Sequence, residues 1–176
     1  AAERVVRRDG AGASLEAIAL EAGVTKPVVY ARVGSRAALS DALAERLAER
    51  VFLAAQGQVA GGDLDRATLA KFFTVTLQTL ADHRELFAYV TRGGADDSVE
   101  RNLYLAGESA GPLAAFLAQR RAARGLGADV ATPWAYGIIG MLNMVAMWWL
   151  DQGEPPADVL GDQLAELVWA GVRGDR

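Results

Sequence analysis

Apolar residues recur along this chain at helical spacing, and no segment alternates apolar and polar positions as a half-buried strand would. Leu15, Ile18, Ala19 and Ala22 fall at i, i+3, i+4 and i+7 behind Ser14, a good N-cap, although Ala17 stands where a full capping box would carry Glu or Gln. Leu39, Leu43 and Leu47 repeat every four residues, and Leu160, Leu164, Leu167, Val168 and Gly171 form a similar stripe near the end. Clusters of Gly, Pro and Asp in DGAGAS, AGG, RGGADDS, RGLGAD and DQGEPP punctuate these runs. The pattern predicts helices near 1–9, 14–22, 25–33, 36–56, 64–81, 84–92, 99–124, 130–151 and 156–173. An all-α fold of about nine helices follows, with three short helices bunched at the N-terminus.

The longest apolar run, Trp134 to Leu150, is broken by Asn143 and is shorter than the roughly 20 residues of a membrane span. It therefore reads as a buried helix, and no membrane partner is expected. Its apolar residues occupy almost every angle, so both sides of the helix need cover. One side can meet the core of its own domain. The other can meet a second copy, which predicts a two-fold homodimer through the helices at 130–151 and 156–173. A monomer with a thick core at this point is the alternative.

The stretch GVTKPVVYARVGSRAAL, residues 23–39, is dense in turn and capping residues. Gly23 follows an amphipathic helix and suits a left-handed stop, Thr25 suits an N-cap, and Pro27 falls in the first turn, where its missing N–H costs little. Two helices thus meet across a three-residue turn, as in a helix-turn-helix, whose second helix enters the major groove N-terminus first. Val29 and Val33, with Val24 from the turn, are expected to face Ile18 and Ala22. The opposite side then offers Thr25, Lys26, Pro27, Val28, Tyr30 and Arg32. Lys26 and Arg32 suit phosphates or guanine edges, Tyr30 can donate its hydroxyl to a phosphate, and Pro27 and Val28 suit a thymine methyl. Ser35 caps the next helix, so Arg36 stands at a helix N-terminus, where free N–H groups also attract phosphate. Short helix pairs with glycine turns also occur in helical proteins that do not bind DNA.

The segment SLEAIALEAGVTKPVVYARVGSRAALSDALAERL resembles the TetR family of bacterial transcriptional regulators. Ile18, Ala19, Ala22, Gly23, Val24, Thr25, Tyr30, Arg32, Val33 and Leu39 carry the likeness, over about forty residues. Arg36 stands where the family usually has Lys, Val33 where Phe is commoner, and Ala31 where relatives often have more reach. The first helix is shorter than the family's usual one, and an upstream segment is expected to be missing. The resemblance implies a DNA-binding domain over 1–38 and a ligand-binding and dimerisation domain over 39–176. It also implies a repressor that binds a palindromic double-stranded DNA operator as a dimer and is released by a small-molecule effector.

Charge and composition refine this reading in two ways. Residues 1–40 carry six Lys+Arg and four Asp+Glu, a net +2, so that of the total −4 the remainder carries −6; an anionic partner is steered to the N-terminal part. The absence of cysteine excludes disulfides, thiolate metal sites and cysteine nucleophiles, and fits a reducing cytoplasm. For the effector, Phe72, Phe73, Thr76, Phe87, Leu103, Met141, Met144 and Trp148 are candidate lining residues, although taken singly each reads first as plain core. That mixture favours an apolar or aromatic molecule. Gly107, Gly111 and Pro112, inside a long helix, could kink it to admit a ligand or merely accommodate a neighbour. The lone histidine, His83, with Asp82 and Glu85 makes no closed ligand set and reads as a helix start with acids in its first turn, so neither an enzyme nor a metal or other cofactor is expected. An all-helical, dimeric interaction or small-molecule-binding protein without DNA binding remains the alternative.

Overall fold

A computed structural model describes residues 1–59, 65–92 and 98–172, apart from the side chains of 58–59, 92, 98–106, 108 and 171–172. Among the described residues there are nine α-helices and no strand. They are α1 (Ala2–Asp9), α2 (Leu15–Ala22), α3 (Lys26–Val33), α4 (Arg36–Val59), α5 (Arg66–Asp82), α6 (Arg84–Arg92), α7 (Ser98–Ala122), α8 (Ala131–Gln152) and α9 (Ala157–Val172). The order is the one the apolar spacing predicts, and the fold is a helix-turn-helix unit followed by a helical bundle. One element went unforeseen, a 3-10 turn at Gly10–Gly12 between α1 and α2.

The chain forms two compact units, one of Ala1–Glu49 with Asp82–Leu105, the other of Arg50–Ala81 with the chain from Ala106 onward. These units cut the chain elsewhere than the division at residue 38 that the family resemblance implies, because α6 returns to pack on the 3-10 turn and on α1. α4 is continuous across the boundary between Glu49 and Arg50.

In the first unit, α1 buries Val5 and Val6, α2 buries Leu15, Ile18 and Ala19, and α4 buries Leu39, Leu43 and Leu47, the three leucines of the four-residue repeat. α6 adds Leu86, Phe87, Tyr89 and Val90. Apolar positions on four helices thus close a small core from which the polar faces point outward.

In the second unit, α5 buries Phe73, Thr76, Leu77 and Leu80. Ala110 and Leu117 of α7 meet Ala131 and Ala135 of α8, with Phe116, Trp134, Ile138 and Ile139 packed around them. Alanine at these positions lets helix backbones approach closely, and Gly161 of α9 carries this furthest: a Cβ there would meet Thr74 Oγ1, lie 2.9 Å from the Thr74 amide nitrogen and 3.1 Å from the Ala70 carbonyl oxygen of α5. Arg66 of α5 pairs with Asp162 at 3.4 Å and Glu166 at 3.7 Å beside that crossing. α7 runs through Pro112 as one helix, with Gly111 and Pro112 both exposed. The Trp149 indole donates to the Pro155 carbonyl at 2.6 Å, tying the end of α8 to the link that follows.

Two expectations about packing change. Leu167 completes the sequence stripe of α9 yet is 63% exposed, unlike the buried Leu160 and Leu164. Val24 and Ala22 are exposed, so the buried contact of this pair of helices falls to Ile18 and Val29 instead.

Candidate nucleic-acid interface

The α2–turn–α3 segment is built by local chemistry. Ser14 Oγ accepts the Ala17 N–H at 3.1 Å and fixes the start of α2. At its end Gly23 adopts φ 67°, ψ 28°, a left-handed conformation that costs a residue with a Cβ more than it costs glycine. The Gly23 N–H donates to Leu20 O and the Val24 N–H to Ala19 O, both at 3.1 Å, the paired bonds of a Schellman stop. Thr25 then takes the extended conformation of an N-cap, and its carbonyl accepts from Val28 and Val29, but its hydroxyl makes no capping bond. Pro27 sits in the first turn of α3, as its sequence position predicts.

Val29 is the buried anchor of α3, and Val33 is half-buried. Thr25, Lys26, Pro27, Val28, Tyr30, Ala31 and Arg32 are all exposed. Three kinds of contact chemistry therefore share one short helix: cations, a phenol and small apolar groups, each matched to a feature of duplex DNA.

The cations differ in how they are held. The Lys26 ammonium donates to Glu16 Oε1 of α2 and lies 5.7 Å from the centre of the Tyr30 ring. Glu16 holds the Lys26 pKa above its ordinary value, chiefly through that hydrogen bond, and Lys26 in turn pulls the Glu16 carboxyl down. Arg32 makes no ion pair among the described residues. Arg36, at the first position of α4 behind the Ser35 cap, donates from Nη2 to the Ala11 carbonyl at 2.7 Å, and its guanidinium lies 5.4 Å from the centre of the Tyr89 ring. The phosphate contact expected of Arg36 thus competes with two intramolecular partners. Glu16, Ala11 and Tyr89 were invisible to sequence reasoning as parts of this site, since each meets its cation only through the tertiary fold.

On α1, Arg4 pairs with Glu21 at 2.6 Å and Arg8 with Asp9 at 2.7 Å, so much of the positive charge of residues 1–40 is neutralised where it stands. Arg7 is exposed and unpaired among the described residues.

The effector candidates scatter. Phe72 is half-buried against Phe73 in an edge-on pair with ring centres 5.5 Å apart, and Phe73 and Thr76 are buried on α5. Met141 is half-buried on α8. Phe87 belongs to the other unit and fills its core. Met144 and Trp148 are 67% and 52% exposed, on the outer side of α8 rather than in its interior. Leu103 lies on α7, with its side chain outside the described residues. Among the described residues no three His, Asp or Glu side chains form a group that could hold a metal, and no helix is long and apolar enough to cross a membrane.

Compared with models of protein families, the chain matches none. It is similar to two curated proteins of Mycobacterium tuberculosis, from the CDC 1551 / Oshkosh and H37Rv strains, each called an uncharacterized HTH-type transcriptional regulator. In both cases the identity is 27% over 173 residues, spanning 96% of this chain and 73% of the relative.

Proposed function

We propose that this chain is a DNA-binding transcriptional regulator of the TetR type, and not an enzyme. The observation that carries the reading is the exposure of Lys26, Pro27, Val28, Tyr30 and Arg32 on a helix anchored by Val29 and set at a Schellman turn. A helix that served only to fill a core would not leave its cations, phenol and proline together in solvent. The likeness to two proteins named as helix-turn-helix regulators supports the same conclusion.

In this proposal α3 enters the major groove, with Arg32 and Lys26 on phosphates or guanine edges, Tyr30 on a phosphate, and Pro27 and Val28 near thymine methyls. Thr25, whose hydroxyl is not used in capping, is left to meet the backbone at the helix N-terminus. One such helix contributes about 1–3 kcal/mol of discrimination per good bidentate contact, too little to single out a site in a genome. A dimer doubles the readout and calls for an imperfect palindrome. The outward Tyr136, Met144 and Trp148 of α8, and Val159 and Leu167 of α9, supply the apolar surface for that dimer.

The bundle is the effector domain of this proposal, and binding represses transcription until an effector releases the DNA. Phe72, Phe73 and Met141 supply apolar contacts and Thr76 a hydroxyl, which suits an apolar or aromatic molecule carrying a hydrogen-bonding group. Thr79 and Thr91 close their hydroxyls onto carbonyls four residues back, at 2.8 Å and 2.7 Å, whereas the buried Thr76 hydroxyl has no partner. Release follows if the effector prefers a state in which α4 is tilted and the two recognition helices of the dimer stand at a different separation.

The test is selection of bound duplexes from genomic fragments, followed by a small-molecule screen for release. The proposal expects a palindrome to be enriched and its binding to fall when Tyr30 and Arg32 are replaced by Ala. Recovery of no preferred duplex, with no effect of the replacements, would leave a helical interaction protein instead.

A further inference from the structure

Arg36 is exposed overall, yet its guanidinium is engaged on two sides by groups of the same unit. Its Nη2 donates to the Ala11 carbonyl of the 3-10 turn, and its guanidinium carbon lies 5.4 Å from the ring centre of Tyr89 of α6, a residue only 1% exposed. Three elements therefore meet at one side chain: the 3-10 turn that leads into α2, the first residue of α4, and α6. The 3-10 turn and α6 are also packed directly on each other.

The chemistry of this junction selects arginine. A guanidinium donates within its plane and stacks perpendicular to it, so it can bond a carbonyl and cover a ring at the same time. An ammonium is a point charge and has to choose between the two. The geometry points to Arg36 as a positioning residue, which holds the 3-10 turn and α6 against the start of α4 and so fixes the setting of α2 and α3, with Tyr89 as its partner and without a phosphate contact of its own. This deepens the DNA-binding reading and rests on it only for its effect on binding; the junction itself exists without DNA.

Two measurements on the full chain test it. Without DNA, hydrogen exchange in Arg36→Lys and Arg36→Ala is expected to speed up at the amides of the 3-10 turn and α6 relative to wild type. A residue kept for phosphate would leave those amides unchanged, and that result would overturn the inference. With a fluorescein-labelled duplex recovered by selection with the wild-type chain, affinity is then followed against salt. Arg36→Ala should weaken binding by roughly two- to fivefold, the range of a single cation–π contact at a partly exposed site, and Arg36→Lys, which keeps one of the two contacts, by less but measurably. Neither should change the slope of log affinity against log salt, whereas Arg32→Ala should reduce it by about one phosphate's worth. Wild-type affinity in Arg36→Lys together with a reduced slope in Arg36→Ala would make Arg36 a phosphate contact and overturn the inference. Tyr89→Phe keeps the ring and should behave as wild type in both measurements. If the wild-type chain selects no duplex, the DNA-binding reading fails while the exchange result still decides the junction.

Discussion

Lys26 shows how a single residue on the proposed recognition helix can be restrained before any DNA arrives. Its ammonium is held by Glu16 of α2 and lies near the Tyr30 ring, so a phosphate has to displace a carboxylate that is already in place. Glu16→Gln removes that competitor and a negative charge from the face proposed for DNA. Severalfold tighter binding at low salt is expected, measured by fluorescence anisotropy, and an unchanged affinity would show that the pair does not compete. Acid acts on the same contact. The Lys26 hydrogen bond holds the Glu16 carboxyl below its ordinary value, so the stabilisation it lends is complete above the ordinary carboxylate pKa and is lost as pH falls through the lowered one. Thermal unfolding followed across that acid window should show a smaller pH dependence in Glu16→Gln than in wild type. Glu21, lowered mainly by its hydrogen bond to Arg4, and Asp9, lowered mainly by its bond to Arg8, lose their contributions in the same direction. At this scale the sequence was only half legible. It offered Lys26 and Arg36 as exposed cations, but their partners stand 10 and 25 residues away, at separations no local pattern encodes.

Among elements, α2 and α3 were the most legible, because caps and stops act over three or four residues. Ser14, Gly23 and Pro27 all take the positions their residue types predict, down to the Ser14 bond to Ala17. Ser14→Ala should cost about 1 kcal/mol in denaturant unfolding, and Ser14→Gly less. The helix crossing at Gly161 was not legible in this way, since nothing near it in sequence announces the approach of α5. A methyl group there meets backbone atoms of Thr74 and Ala70 that cannot swing aside, so Gly161→Ala should destabilise the protein by about 1–3 kcal/mol, read as a lower midpoint of thermal or denaturant unfolding. A midpoint equal to wild type would mean that α9 shifts without cost.

For the whole molecule, the apolar run of α8 announced that the helix needed cover on both sides, but it could not say which residues faced which way. The structure buries Ala135, Leu142, Ala146 and Trp149 and turns Tyr136, Met144 and Trp148 outward. Two of the residues expected to line an effector site thus stand on the surface proposed for the second copy. Met144→Arg with Leu167→Arg is expected to give a folded monomer by sedimentation and to abolish binding to a palindrome, with binding to a single half-site much less affected. A double variant that remains dimeric would remove α8 and α9 from the interface. The 24 residues of α4 belong to this scale as well. At 1.5 Å per residue they make a rod of about 36 Å. Pivoted at its far end by about 5°, such a rod carries its first turn through roughly 3 Å, close to the 3.4 Å rise between successive base pairs. If the proposed effector switch tilts α4 in this way, leverage turns a rearrangement too small to break any helix into a step of about one base pair at the end where Arg36 begins the helix.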